Sequence, residues 1–439
     1  MKDKITVGVI SLGCDKNRVD TEKMLAILSP TYQITQDVEN ANVIIINTCA
    51  FLQSARSEAV GEILWAGQLK KQNPNLKIIV TGCLPQKFVG DIYEELPEVD
   101  AFLGVSDYDK LPQIISDLFT NGKRVNAVGC PSGECGKNRV LTTDGYAYLK
   151  IADGCSNHCT YCLIPSIRGK FRSVPTNDLI EEVKGLGKVN ELILVAQDVT
   201  KYGQDLTPQT DLPTLIEKLS NLTNVVSIRL LYCYPEGITD KLIEQLKTND
   251  KLIKYLDIPL QHASDPVLKR MNRKGTGEGY LRLIEKLKSQ VEGIALRSTF
   301  ITGFPGETEQ DFNALCEFLQ KAKLTNAGFF AYSREEGTPA YKLPDQIEQK
   351  VKTARLKKLY SVQKKIAKAN GKQYLGKTIR VFAEGFDFNS FTYYGRAYFN
   401  APDVDGKIYF FSTEEVEYGT YYDVEINKVD GYDLYGDRL

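Results

Sequence analysis

Short apolar runs rich in β-branched residues alternate with amphipathic stretches along most of the 439 residues. Early in the chain the runs cover residues 5–11, 43–46 and 77–80, and helical patterns at 19–28 and 52–71 separate them. Near-continuous apolar runs of this length read as strands buried on both faces. Their alternation with helices predicts a doubly wound parallel sheet. The alternation resumes with strands at 147–151, 191–196, 225–231, 255–260, 295–301 and 328–332. Six βα units are too few for a closed eight-stranded barrel and suit an open, partial one. A helix is expected over 341–375. The period then changes to short strands at 378–383, 392–397, 407–411 and 421–428, with Asp387, Asn389, Pro402, Gly406 and Gly419 at the turns. Small all-β barrels read this way. The expected class is α/β in three parts: a doubly wound domain at 1–130, a partial (β/α)6 barrel at 141–375 after a linker at 131–140, and an all-β barrel at 376–439.

Composition adds limits. The chain is 42% hydrophobic and 25% charged, as in ordinary globular proteins. No stretch approaches the roughly 20 apolar residues that span a bilayer. Met1-Lys2-Asp3-Lys4-Ile5 runs into a strand with no signal-peptide pattern, so a cytoplasmic location, where thiols stay reduced, is expected. Ten cysteines there favour metal ligation or catalysis over disulfides.

Charge is uneven although the net value is only −1. Residues 341–375 hold ten Lys or Arg against Asp345 and Glu348, which reads as a solvated helix face, or less simply as a phosphate or acidic-partner site. Residues 377–439 hold six basic and twelve acidic residues, a balance of −6. Tyr393, Tyr394, Tyr398 and Phe399 would suit a barrel that stacks single-stranded bases, but such barrels need a positive groove. An acidic one repels phosphate and favours a basic protein, so nucleic-acid binding is not its expected main role.

The chemistry concentrates in cysteines. Gly154-Cys155-Ser156-Asn157-His158-Cys159-Thr160-Tyr161-Cys162 places three thiols at C-x3-C-x2-C spacing just past a strand. Three thiolates on a four-iron cluster leave one iron open. A zinc knuckle, with His158 folding back as fourth ligand, and three unrelated thiols are the alternatives. Cys14, Cys49 and Cys83 each follow a strand of the first domain by one to three residues. In a parallel sheet those ends share an edge, so the three would converge and again suit a cluster with an open iron. The bland alternative is three core cysteines. Gly13 and Gly82 would permit tight turns there.

Other residues carry weaker signals. Cys130 and Cys135 fall in a Gly/Pro-rich linker and read as incidental; Cys233 has no partner pattern, and Cys316 sits at core spacing. Gln197, Asp198, Gln261 and His262 lie at strand ends and Arg297 within a strand, as ligand contacts or as loop caps, with His262 better read as structural. Gly303-Phe304-Pro305-Gly306-Glu307-Thr308 lacks a Walker Lys-Ser/Thr and reads as a strand-to-helix turn.

The cysteine loop resembles that of the radical S-adenosylmethionine (SAM) enzymes. With Ser11-Leu12-Gly13-Cys14-Asp15-Lys16-Asn17, Asp257-Ile258-Pro259-Leu260-Gln261-His262-Ala263-Ser264 and Tyr432-Asp433-Leu434-Tyr435-Gly436, the whole chain resembles the methylthiotransferases among them. Its branch looks like the one that modifies an aspartate β-carbon of small-subunit ribosomal protein twelve. That branch generally has Trp where Tyr435 stands. A tRNA adenosine methylthiotransferase shares the six cysteines and is the alternative.

The resemblance implies a TRAM barrel at the C-terminus and two 4Fe–4S clusters. Cys155, Cys159 and Cys162 would hold the cluster that cleaves SAM, and Cys14, Cys49 and Cys83 the one that carries sulfur. It also implies a SAM contact from Tyr161, beside the candidate SAM contacts Gln197 and Gln261 at strand ends and Arg297 within a strand. A basic ribosomal protein as substrate and a reducing electron-transfer protein are the implied partners.

Overall fold

The computed structural model describes residues 4–131 and 138–439, which fall into two compact units. The first comprises Met1–Thr142, Tyr148–His158 and Cys162–Gly187; the second comprises Thr143–Ala147, Cys159–Tyr161 and Lys188–Leu439.

The first unit is built on a six-stranded sheet in the order Gln33–Thr35, Thr6–Ser11, Val43–Thr48, Lys77–Gly82, Ala101–Leu103, Val125–Ala127, with every pair parallel. Helices cover both faces. Ile44 and Ile46 pack with Ile63 and Ala66 of the helix Gln53–Gln72; Val43 and Ile45 pack with Met24, Leu28, Leu111 and Ile115. Alternate side chains of one apolar strand thus feed two cores, the signature of a doubly wound layer. Three of the six strands escape the sequence pattern. Each has only three residues, and Val125–Ala127 is partly exposed.

In the second unit an open sheet keeps its strands in chain order: Glu191–Val195, Ile228–Leu230, Leu252–Asp257, Ala295–Thr302, Asn326–Ala331. Each neighbouring pair among these five is parallel. Chain order in an open parallel sheet is what a partial barrel requires. The expected helix over 341–375 is shorter. Pro344 and Asp345, which has φ 57°, break the chain, and the helix runs from Gln349 to Gly371. Its basic face is not wholly solvated as expected. Lys352 and Arg355 are buried and donate to the Tyr332 carbonyl at 2.9 Å and the Glu307 carbonyl at 3.1 Å.

The C-terminal strands close into a barrel in the order Thr378–Asp387, Thr392–Arg396, Ile408–Phe411, Asp433–Arg438, Tyr421–Asp430. The fifth strand, Asp433–Arg438, lies beyond the four expected and closes the ring by pairing parallel with Ile408–Phe411. The barrel clusters with the open sheet rather than alone. Gly145 and Gly419 meet backbone to backbone, and a Cβ on Gly145 would fall 2.3 Å from the Gly419 carbonyl oxygen. Among the described residues no helix is long and apolar enough to cross a membrane.

Candidate metal centres

Three adjacent strands of the first sheet, Thr6–Ser11, Val43–Thr48 and Lys77–Gly82, deliver Cys14, Cys49 and Cys83 to one edge. Cys14 caps the helix Asp15–Leu28, Cys49 follows its strand directly, and Cys83 opens the helix Cys83–Glu95. Both turn glycines adopt left-handed backbone, Gly13 at φ 90° and Gly82 at φ 94°. A Cβ on Gly13 would lie 2.6 Å from the Cys49 Cβ, so the first two turns pack against each other.

Burial pushes the Cys83 thiol up to about 12; Arg168 opposes that rise while Cys14 and Cys49 add to it. Burial raises the Cys49 thiol as well, and Cys14 adds to the rise.

A polar lattice fixes the three turns. The Asn17 amide donates to the Leu12 carbonyl at 3.0 Å and the Thr48 carbonyl at 2.9 Å. Asn47 donates to the Asn17 carbonyl at 2.9 Å, and the Thr48 hydroxyl to the Thr81 carbonyl at 2.6 Å. Arg168 enters the same lattice, with Nη2 2.6 Å from Asn17 Oδ1 and 3.6 Å from Cys83 Sγ. Sequence reasoning quoted Asn17 within a motif but gave it no role, and it passed over Arg168. Beyond that motif the available signal was position, Asn17 three residues after Cys14 and Arg168 six after Cys162.

The loop that holds the other three cysteines is divided: Cys155 and Cys162 belong to the first unit and Cys159 to the second. Within the first unit, Gly154 at φ 74° must be glycine, since a Cβ would sit 2.2 Å from the Lys170 carbonyl oxygen. The Cys155 amide donates to Gly169 at 3.1 Å. Cys162 Sγ accepts the Ile164 amide at 3.4 Å. Within the second unit, Cys159 Sγ lies 3.5 Å from the Tyr234 hydroxyl and 4.0 Å from Arg273 Nη1. Arg273 stacks 4.1 Å over the Tyr234 ring and donates to the Pro259 carbonyl at 2.6 Å. Burial opposes its charge, but Tyr161, Tyr234 and Cys159 keep its pKa above the ordinary arginine value.

Tyr161 packs with Val267, Met271, Phe304, Tyr332 and Ala340. Gln197 lies two residues past the strand Glu191–Val195. Gln261, at φ 73°, is hydrogen-bonded through its backbone to Thr299 at 2.8 Å and Ile301 at 2.7 Å. Arg297 pairs with Asp257 at 2.8 Å and Asp405 at 3.2 Å. Asp198 caps a turn through the Thr200 amide at 3.1 Å.

His262 is fully buried, with Nδ1 accepting the Ser264 amide at 2.9 Å and Nε2 3.9 Å from Glu307. That is a structural placement. Glu307 itself accepts the Thr302 hydroxyl at 3.0 Å and the Phe304 amide at 3.0 Å, and Thr308 caps the helix Glu309–Ala322, so the 303–308 segment is a strand-to-helix turn. Cys233 is buried, Cys316 is half-buried and Cys130 is exposed; Cys135 lies outside the described residues.

No disulfide joins any of the nine described cysteines. Among the described residues no three His, Cys, Asp or Glu side chains converge as a single metal ion requires. Ligands of one zinc ion crowd to about 3.8 Å, from a Zn–S bond of about 2.3 Å and tetrahedral angles. A four-iron cube sets its thiolates at separate corners, farther apart. A thiolate-only donor set of three, held by turn glycines at a strand edge, fits such a cluster.

Residues 6–104 match the UPF0004 family, 149–319 the radical SAM superfamily and 375–438 the TRAM domain. The chain is 45% identical over 451 residues to the ribosomal protein uS12 methylthiotransferase RimO of Acetivibrio thermocellus, covering 100% of this chain and 99% of that protein. It is 46% identical over 440 residues to the RimO of Clostridium kluyveri, covering 99% and 98%. Among solved structures, the radical S-adenosylmethionine methyltransferase TsrM from Kitasatospora setae, with cobalamin and a 4Fe–4S cluster bound, aligns at TM-score 0.56 and 12% identity over 77% of each chain. The cobalamin-dependent radical enzyme OxsB aligns at TM-score 0.53 and 13% identity over 82% of this chain and 56% of that one. At such low identity these two speak for the fold alone. The relatives speak for more: with all three family segments in order and such identity from end to end, the chain belongs to the RimO family of radical SAM methylthiotransferases.

Proposed function

We infer that this protein is a transferase that adds a methylthio group to the β-carbon of an aspartate in ribosomal protein uS12. The observation that carries the reading is identity of about 45% along the full length of uS12 methylthiotransferases. The acidic barrel supports it, since a balance of −6 over residues 377–439 suits a basic protein better than tRNA.

Cys14, Cys49 and Cys83 would hold one 4Fe–4S cluster, and Cys155, Cys159 and Cys162 the other. Bound with SAM, these groups supply the one-electron chemistry and the methylthio group that an unactivated C–H bond requires. The chain's own residues do the holding. Gly13, Gly82 and Gly154 let backbone turn close to the thiols. The Ile164 amide and the Tyr234 hydroxyl orient Cys162 and Cys159. Tyr161, Gln197 and Gln261 are proposed SAM contacts. Arg297 is proposed with them, on condition that it keeps Asp257 and Asp405. A reducing electron-transfer protein would supply electrons, and the cytoplasm, where thiols stay reduced, is the proposed compartment.

The test is anaerobic incubation of the reconstituted protein with SAM, a reductant and either uS12 or tRNA. Mass spectrometry should find hydrogen replaced by a methylthio group on a uS12 aspartate. Modification of tRNA alone would overturn the reading.

A further inference from the structure

Arg168 is almost wholly buried, at 1% exposure, on the short helix Ile164–Arg168 that begins two residues after Cys162. A buried guanidinium survives only where its donors are met. Nη1 lies 2.9 Å from Asp20 Oδ2 and 3.0 Å from Asp153 Oδ2. Lys150 completes that group at 2.5 Å from Asp20 and 3.2 Å from Asp153. Two cations thus face two carboxylates, and the charges balance before any thiol is counted. The other terminal nitrogen, Nη2, turns away from the carboxylates to Asn17 Oδ1 at 2.6 Å and Cys83 Sγ at 3.6 Å. Asn17 in turn braces the turns before Cys14 and Cys49 through the Leu12 and Thr48 carbonyls. One side chain therefore touches a proposed ligand of one centre and Asp153, two residues before Cys155 of the other.

We propose that Arg168 is a positioning residue for the Cys14–Cys49–Cys83 centre, donating a hydrogen bond to the Cys83 sulfur that stabilises the reduced state of a cluster held there. Reduction adds negative charge to the cluster and its sulfurs. A fixed donor in a buried, low-dielectric site favours that added charge, and hydrogen bonds to sulfur are a recognised lever on cluster potential. The proposal rests on the reading of Cys83 as a cluster ligand.

The test uses the full chain with C155A, C159A and C162A together, so that one cluster of about four irons remains. Redox titration followed by electron paramagnetic resonance should give a lower midpoint potential in R168Q than in the Arg168 protein, with R168K in between. An unchanged midpoint in R168Q at full iron content would overturn the proposal. If R168Q fails to hold iron, pulsed resonance on the reduced cluster of arginine-15N-labelled protein decides. A nitrogen coupling that disappears in R168K is expected, and its absence from the Arg168 protein overturns the proposal. If the Arg168 protein itself takes up no iron, the reading of Cys83 as a ligand has failed, and the proposal with it.

Discussion

Arg229 donates from Nε to Glu191 Oε1 at 2.5 Å, with both side chains only 1% exposed. Arg396 of the C-terminal barrel binds the other oxygen of the same carboxylate, and its Nε reaches Glu384 at 2.7 Å. Arg229 also donates to the Tyr398 carbonyl of the barrel at 2.8 Å. Glu191 opens a strand of the parallel sheet, so one buried carboxylate ties the barrel to that sheet.

Removing that carboxylate leaves Arg229 buried with no anionic partner and Arg396 with Glu384 alone. E191Q should destabilise the protein by about 3–5 kcal/mol, read as a fall in Tm. Burial alone would raise the Glu191 pKa, but Arg229 and Arg396 outweigh it and hold it below the ordinary glutamate value. A depressed carboxylate stabilises above its unfolded pKa, about 4.3, and the gain is lost as pH falls through the folded value. The Tm gap between wild type and E191Q should therefore narrow with acid below about pH 4.3. A gap that stays constant there contradicts the assignment.

Gly154 stands where only glycine fits, at φ 74° against the Lys170 carbonyl. G154A carries roughly 1–2 kcal/mol of left-handed strain in addition to the backbone clash. It should cost the adjoining cysteine loop its cluster, lowering iron from about eight to about four per chain. Retention of full iron in G154A would show that the loop tolerates the shift.

The two cysteine sets should each account for half the iron. C14A/C49A/C83A and C155A/C159A/C162A should each keep about four irons per reconstituted chain. Only the first should still form 5′-deoxyadenosine from SAM under reduction, and neither should modify uS12. Iron and sulfide analysis with chromatography of the nucleoside checks this. A full iron complement in either variant removes that set from the ligand assignment.

Alkylation of the metal-free chain should rank the first three thiols. Cys14 is exposed, Cys49 half-buried and Cys83 buried, with a thiol held protonated until about pH 12. At pH 8 Cys14 should react first with iodoacetamide and Cys83 last, by peptide mass mapping, because the thiolate is the nucleophile. Early labelling of Cys83 would contradict its burial.

Local pattern alone determined a good deal. Runs such as 43–46 and 78–80 are buried on both faces and must be apolar throughout, so their place in a parallel sheet and the cysteines at their ends could be read directly. Strands of three residues, Gln33–Thr35 and Ala101–Leu103, were not legible because so short a run carries no period. The fifth barrel strand, Asp433–Arg438, took its place from its partners and not from its own composition.

Tertiary structure decided the rest, chiefly the fate of buried charge. In sequence, Arg168, Arg229 and Lys352 look like any solvated cation. Each is buried because groups elsewhere in the chain meet it, as Cys83 meets Arg168 from 85 residues away and Glu191 meets Arg229 from 38. Apolar burial follows from a residue's own chemistry and leaves a periodic trace. A buried ion needs a partner, and only the folded chain brings that partner to it.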